Sequence, residues 1–215
     1  LLRIIELDKD GVYRKEKQSI YNNLAVYYER LKNYDRALEY YNEEIKLNPD
    51  DYFAYRNRAY LYGYNLNDNE KALIDFNKAI ELDSIGDNFY TRAYFYDKIG
   101  EYNKALLDYN KAIELDPDDK DYLFDRALVY SEIEENEKGI SDLLRIIELD
   151  KDGSYRKENG SVYNNLAVYY KRIENYDKQL EYYTKEIDLD PDDYLAYRNR
   201  ASVYAYRLND NEKAL

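Results

Sequence analysis

The chain has 215 residues, with 32 Lys and Arg against 45 Asp and Glu, for a net charge of −13. That balance argues against a nucleic-acid surface, and no apolar run reaches the roughly 18 residues a membrane span requires. His 0, Cys 0, Met 0 and Trp 0 remove the common proton shuttle, the thiol nucleophile, the soft metal ligands and any disulfide, whereas Tyr 30 stands out as an excess. With no methionine at all, the chain reads as an internal fragment or a processed product. It carries no legible address, and the cytoplasm is the default expectation.

In chain order, residues 1–7 (LLRIIEL) read as the end of a second helix, followed by a connector at 8–17 (DKDGVYRKEK) in which Gly11 is expected to stop that helix in a left-handed conformation. From residue 18 the apolar and aromatic residues recur at i, i+3, i+4 and i+7 in paired segments, a helical period and not the alternation of a strand. Hairpin units are expected at 18–51, 52–85, 86–119 and 120–153, then a connector at 154–159 (SYRKEN), a fifth unit at 160–193 and a partial sixth at 194–215. Residues 1–17 are the end of a preceding repeat plus its connector. The turn at 65–70 is about one residue longer than its neighbours, and Gly153 repeats the expected role of Gly11. Above this short period lies a longer one of about 142 residues: LLRIIELDKDG at Leu1 returns at Leu143, and YNNLAVYY at Tyr21 returns at Tyr163.

A small residue recurs in each first helix (Ala25, Ala59, Ala93, Ala127, Ala167, Ala201) and in most second helices (Ala37, Ala72, Ala105, Ala214), with Gly139 and Gln179 as departures. Pro49, Pro117 and Pro191 fall between units, where they stop a helix. This pattern, with a roughly 34-residue helix-turn-helix unit, resembles the tetratricopeptide repeat family over essentially the whole chain. The resemblance implies an all-α, right-handed superhelical solenoid of antiparallel helix pairs, and Gln179 implies a looser crossing in its hairpin. Tyrosines such as Tyr21, Tyr41, Tyr109, Tyr183 and Tyr197 fall where the family places packing aromatics.

The resemblance also implies which side chains face the concave groove: Phe53, Arg56, Tyr60 and Tyr64 in the second unit, Tyr90, Tyr94 and Lys98 in the third, Phe124 in the fourth, and Arg198 and Tyr206 in the duplicated copy. Tyr and Arg are residues that anchor interfaces, because each offers a large contact area with a polar handle. Tyr60, Tyr90 and Tyr94 are the sharpest candidates, and truncating Tyr60 with Tyr94 is expected to abolish binding while leaving melting almost unchanged. The two-carboxylate clamp found in some relatives is not expected, since the corresponding positions hold Asn22, Val26, Arg56, Asn57, Tyr90 and Tyr94. DKDG at 8–11 and 150–153 lacks the remaining ligands of a calcium loop and reads as a helix-ending turn. No catalytic constellation, cofactor motif or metal spacing is legible.

The function expected is therefore a non-enzymatic scaffold that binds an extended peptide or a helix in its groove. The partner is a protein or peptide, with a basic segment favoured by the negative charge, and neither nucleic acid nor membrane is expected. The alternative is a structural array, in which near-identical copies with uncapped ends stack head to tail into a superhelical filament. The connectors at 8–17 and 150–159 are expected to be spacers.

Overall fold

The structure, a computed structural model, describes residues 20–159, 162–207 and 213, with the backbone alone at 157–159, 206 and 207. The repeat starts, connector and helix assigned to residues 1–19, and the crossing residue Ala214, lie outside the described residues. Those described are helical, with no strand among them. The chain divides into two compact units that meet between Ile99 and Gly100.

The first unit holds α1 (Ile20–Arg30), α2 (Tyr34–Leu47), α3 (Tyr52–Tyr60, continued by a π-helical turn Leu61–Asn65), α4 (Asn69–Leu82) and α5 (Gly86–Lys98). The second holds α6 (Tyr102–Leu115), α7 (Lys120–Glu132), α8 (Asn136–Leu149), the short α9 (Ser154–Asn159), α10 (Val162–Arg172), α11 (Tyr176–Leu189) and α12 (Tyr194–Arg207). Within the units, α1 with α2, α3 with α4, α7 with α8 and α10 with α11 pair as helical hairpins.

The hairpin turn has one form throughout. Lys32, Asn67, Glu134 and Glu174 take positive φ values, each directly before the residue that caps the second helix. The Asn33, Asp68 and Asn175 side chains accept the backbone N–H three residues on, at 3.2, 3.1 and 3.1 Å. Such a cap stabilises a helix by about 1 kcal/mol and helps offset the left-handed residue beside it. Asp51 and Asp119 cap the next first helices in the same way, after Pro49 and Pro117 have ended the second ones.

The turn of the second hairpin is therefore no longer than its neighbours. The extra residue expected at 65–70 is absorbed one step earlier, in the π turn, where Leu66 N–H reaches back to Leu61 O at 3.1 Å. Gly63 sits inside that turn because a Cβ there would run into the Phe95 ring.

Ala25, Ala37, Ala59, Ala72, Ala93, Ala105, Ala127 and Ala167 have no exposed surface, as helices crossing at small residues demand. At the two departures the packing changes. Gly139 leaves a slot filled by the Tyr169 ring of α10, whose hydroxyl donates to Ala127 O. Gln179 is buried at its crossing, with Oε1 lacking a hydrogen-bond partner. Tyr41 and Tyr109 are fully buried and Tyr21 and Tyr183 nearly so, but Tyr197 is 44% exposed and does not act as a packing ring.

Arginines spaced two repeats apart pin neighbouring helices together. Arg58 pairs in two-pronged fashion with buried Asp75 of α4 (2.7 and 2.8 Å) and also donates to Asn42 of α2 (2.5 Å). Arg126 repeats this with Asp142 of α8 (2.8 and 2.6 Å) and Asn110 of α6 (2.7 Å). Fork-to-carboxylate geometry makes these strong pairs, and leaving either partner alone in the core would be costly.

The connector at 150–159 is a folded element. α8 ends at Leu149, and the buried Asp150, ahead of Gly153, closes it. The Asp150 carboxylate accepts the N–H groups of Tyr155 and Arg156, both at 3.0 Å, and pairs with the Arg156 guanidinium at 3.1 Å. Gly153 is left-handed (φ 75°), but it serves the turn into α9. Tyr155 OH donates to Asp121 of α7 at 2.8 Å. The first copy of this segment lies outside the described residues.

The duplication places identical residues in different surroundings. Tyr169 is 2% exposed, whereas its counterpart Tyr27 is 56% exposed. Glu44 and Glu186 are both buried, but Asn48 donates to Glu44 at 2.7 Å while the second copy has Asp190 in that place, and Glu186 Oε2 has no partner. Burial, reinforced by the charges of Asp193 and Asp190 and opposed by a hydrogen bond from the Asn164 backbone, pushes the Glu186 carboxyl up to about 7.

Two outcomes follow. Tyr169→Ala will lose about 3 to 5 kcal/mol in urea unfolding while Tyr27→Ala changes almost nothing; equal losses would refute the slot. Glu186 is stabilising in its protonated form. Its contribution is fully present below pH 4.5 and is lost as pH rises through about 7. Glu186→Gln will accordingly gain up to about 3 kcal/mol at pH 8 relative to the parent chain and almost nothing at pH 4, measured by denaturation at each pH.

Candidate functional site

In the first unit, helical spacing puts Arg56, Tyr60 and Tyr64 on successive turns of one face of α3, and Tyr90, Tyr94 and Lys98 on one face of α5. The rings form a chain. Tyr60 and Tyr64 centroids are 5.3 Å apart, Tyr64 and Tyr94 6.3 Å, and Tyr94 and Tyr90 6.4 Å. Lys98 Nζ stands 4.0 Å from the centroid of Tyr64, a cation–π contact. Arg56 lies 4.9 Å from the centroid of Phe53 and donates to Asn88 Oδ1 at 3.3 Å.

Exposure divides this set. Phe53 is 46% and Tyr94 44% exposed, whereas Tyr60 and Tyr64 are half-buried and pack on the core. Tyr60 meets Phe76 edge-on at 5.6 Å and Tyr64 meets Phe95 at 5.7 Å. Burial raises both phenols above their ordinary pKa, Tyr64 far above it. Tyr60 and Tyr64 thus carry stability as well as surface, and the expectation that Tyr60 can be truncated without cost is revised accordingly. The reason is the π turn, which draws Tyr64 onto Phe95 and Tyr94.

In the second unit, Phe124 is half-buried against the core cluster that includes Leu123 and Ala127. Arg198 is exposed on α12. Tyr206 belongs to the same helix, and its side chain lies outside those described.

Beside the ring chain the first unit has a cleft of about 290 Å³. Its walls are Val26 and Glu29 from α1, Tyr41 from α2, and Asn57, Tyr60, Tyr64 and Asn65 from α3. The fully buried Tyr41 donates its hydroxyl to Glu29 Oε2 at 3.0 Å. Burial raises the Glu29 carboxyl above its ordinary pKa, and the Tyr41 hydrogen bond pulls it part of the way back. Asn57 donates to Asn22 Oδ1 at 2.9 Å and Asn65 to Tyr34 OH at 3.3 Å. The Tyr64 hydroxyl is buried without a hydrogen-bond partner.

Sequence reasoning missed Glu29 and Asn65 as wall residues. The signal available was the comparison of the two copies, in which Glu29, Tyr60 and Asn65 become Lys171, Ser202 and Arg207. Among the described residues no group of three or more carboxylates, His or Cys is placed to hold a metal ion, and no helix is long and apolar enough to cross a membrane.

Sequence models of the tetratricopeptide repeat match residues 18–51, 54–85 and 160–193, and a TPR repeat model matches 94–133. The chain belongs to the tetratricopeptide repeat family, and its general role is that of a protein-interaction scaffold. No curated protein sequence matches it. A tetratricopeptide repeat protein from Parabacteroides merdae aligns with a TM-score of 0.72 at 22% identity, covering 90% of this chain and 75% of that one. YrrB, described as a TPR protein with an unusual peptide-binding site, aligns with a TM-score of 0.66 at 26% identity over 87% of this chain and 94% of its own. PilF of Pseudomonas aeruginosa gives a TM-score of 0.73 at 16% identity over 94% and 88%.

Gly63→Ala will cost about 1 to 3 kcal/mol and disturb the Tyr64 ring signals in NMR spectra, since its methyl meets Phe95. A neutral effect would mean that the π turn does not depend on glycine.

Proposed function

We propose that this protein is a non-enzymatic scaffold that binds an extended peptide or a helix of a partner along the first-helix face of its repeats. The repeat boundaries 18–51, 52–85, 86–119, 120–153 and 160–193 are part of that reading. In the first unit the contact residues are Phe53, Arg56, Tyr60, Tyr64, Tyr90, Tyr94 and Lys98. The observation that carries the reading is the continuous chain of rings Tyr60, Tyr64, Tyr94 and Tyr90, with Tyr94 exposed and two cations held over aromatic faces beside it. Such a surface is rigid before it binds, so little side-chain entropy is lost on contact. The peptide-binding site ascribed to YrrB supports the same kind of ligand. Arg198 and Tyr206 are the corresponding contacts proposed for the duplicated copy, with Phe124 contributing its exposed edge.

End-to-end stacking of copies into a superhelical filament is the second reading, and the oligomeric state separates the two.

Peptides selected from a random library on the intact chain test both readings together with sedimentation velocity. Phe53→Ala with Tyr94→Ala will weaken their binding about tenfold or more and leave the unfolding midpoint nearly unchanged, as both rings are exposed. Undiminished binding by that variant overturns the groove, and concentration-dependent open-ended growth would restore the filament.

A further inference from the structure

The cleft between α1 and α3 has a composition that the ring chain alone does not explain. Its polar groups include several acceptors. Glu29 contributes a carboxylate without an ion pair among the described residues, which accepts from the Tyr41 hydroxyl. Asn57 and Asn65 each donate one amide N–H, to Asn22 and Tyr34, which leaves the other N–H and Oδ1 of both. The Tyr64 hydroxyl has no partner, and the Tyr60 and Tyr64 rings add π faces. At about 290 Å³ the cleft lies at the lower edge of the roughly 300–1,000 Å³ of small-molecule sites, which suits one inserted side chain.

A pocket with aromatic walls, amide oxygens and a carboxylate without a countercharge is complementary to a cationic donor. We propose that the cleft formed by Glu29, Asn57, Tyr60, Tyr64 and Asn65 is a specificity pocket for a basic side chain, arginine or lysine, of the bound peptide. The guanidinium or ammonium supplies the missing countercharge to Glu29, hydrogen-bonds the amide oxygens and lies against the tyrosine rings. The pocket presupposes the peptide-binding reading of the same helix face and names the chemistry of its ligand.

The duplication supplies an internal contrast. Of the residues that form this cleft, those that change between copies reverse its charge: Glu29 becomes Lys171 and Asn65 becomes Arg207, while Tyr60 becomes Ser202. Asn57 and Tyr64 are kept as Asn199 and Tyr206. The second copy thus combines the same framework with residues that repel a cation, and the pocket for a basic side chain belongs to the first copy alone.

The test uses the intact chain and an acetylated, amidated Gly-Gly-Arg-Gly-Gly peptide, with its lysine form and its neutral citrulline isostere as the other arms. Titration is followed by NMR at the Asn57 and Asn65 side-chain amides. The arginine or lysine peptide will shift these signals and bind about tenfold or more tightly than the citrulline peptide, as expected when a charged hydrogen-bond donor is lost. Glu29→Lys with Asn65→Arg will abolish the difference; these are residues the same framework already carries in its second copy, so folding is retained. Equal binding of arginine and citrulline peptides, or unchanged binding by the double variant, overturns the pocket. Library-selected peptides that depend on Phe53 and Tyr94 but ignore Glu29→Lys with Asn65→Arg would sink the pocket and leave the groove standing. Indifference to Phe53 and Tyr94, with the arginine preference intact, would do the reverse.

Discussion

Everything in this molecule hangs on the close approach of paired helices at a residue with almost no side chain. With alanine fully buried at eight of the crossing positions, the helices come near enough for a short turn to join them, and that turn fixes the rotation of each first helix about its axis. The phase so imposed brings Arg58 and Arg126 within reach of a carboxylate on their own hairpin and an asparagine on the one before. It also aligns Arg56, Tyr60 and Tyr64 on one face. Packing and recognition are thus two sides of a single geometric decision.

The internal duplication shows how far neighbours decide the role of a residue. Tyr169 fills a slot that only Gly139 can leave open. Glu44 and Glu186 occupy the same buried position, but Asn48 donates to Glu44, whereas burial, with the charges of Asp193 and Asp190 beside it, pushes the Glu186 carboxyl up to about 7. A further pair of exchanges reverses the charge of the cleft. The copies also differ at one helix crossing, where Ala37 of the first becomes the buried Gln179 of the second.

Much of the fold is legible from periodicity, because a solenoid is built from local contacts between neighbouring hairpins. The alanines, the prolines and the hairpin order are all readable this way. The π turn is not: a sequence shows one residue too many between two caps, and whether it loosens the turn or widens the helix depends on Gly63 meeting Phe95. Nor is the folded connector legible, since the buried Asp150 carboxylate that organises it looks like one more acidic residue in a polar stretch. The ring chain was half legible. The family pattern selects the right face, but how deeply Tyr60 and Tyr64 sink into the core depends on Phe76 and Phe95.

By itself the sequence determined the helical hairpin, its repetition, its family and the absence of the residues most enzymes use. These properties depend on spacing and composition, which are one-dimensional. The tertiary structure decided which tyrosines remain available, where an uncompensated carboxylate faces a cleft, and which of two identical side chains is buried. Those depend on what the next helix brings to within a few ångströms, and desolvation by a neighbour far along the chain leaves no trace in local pattern.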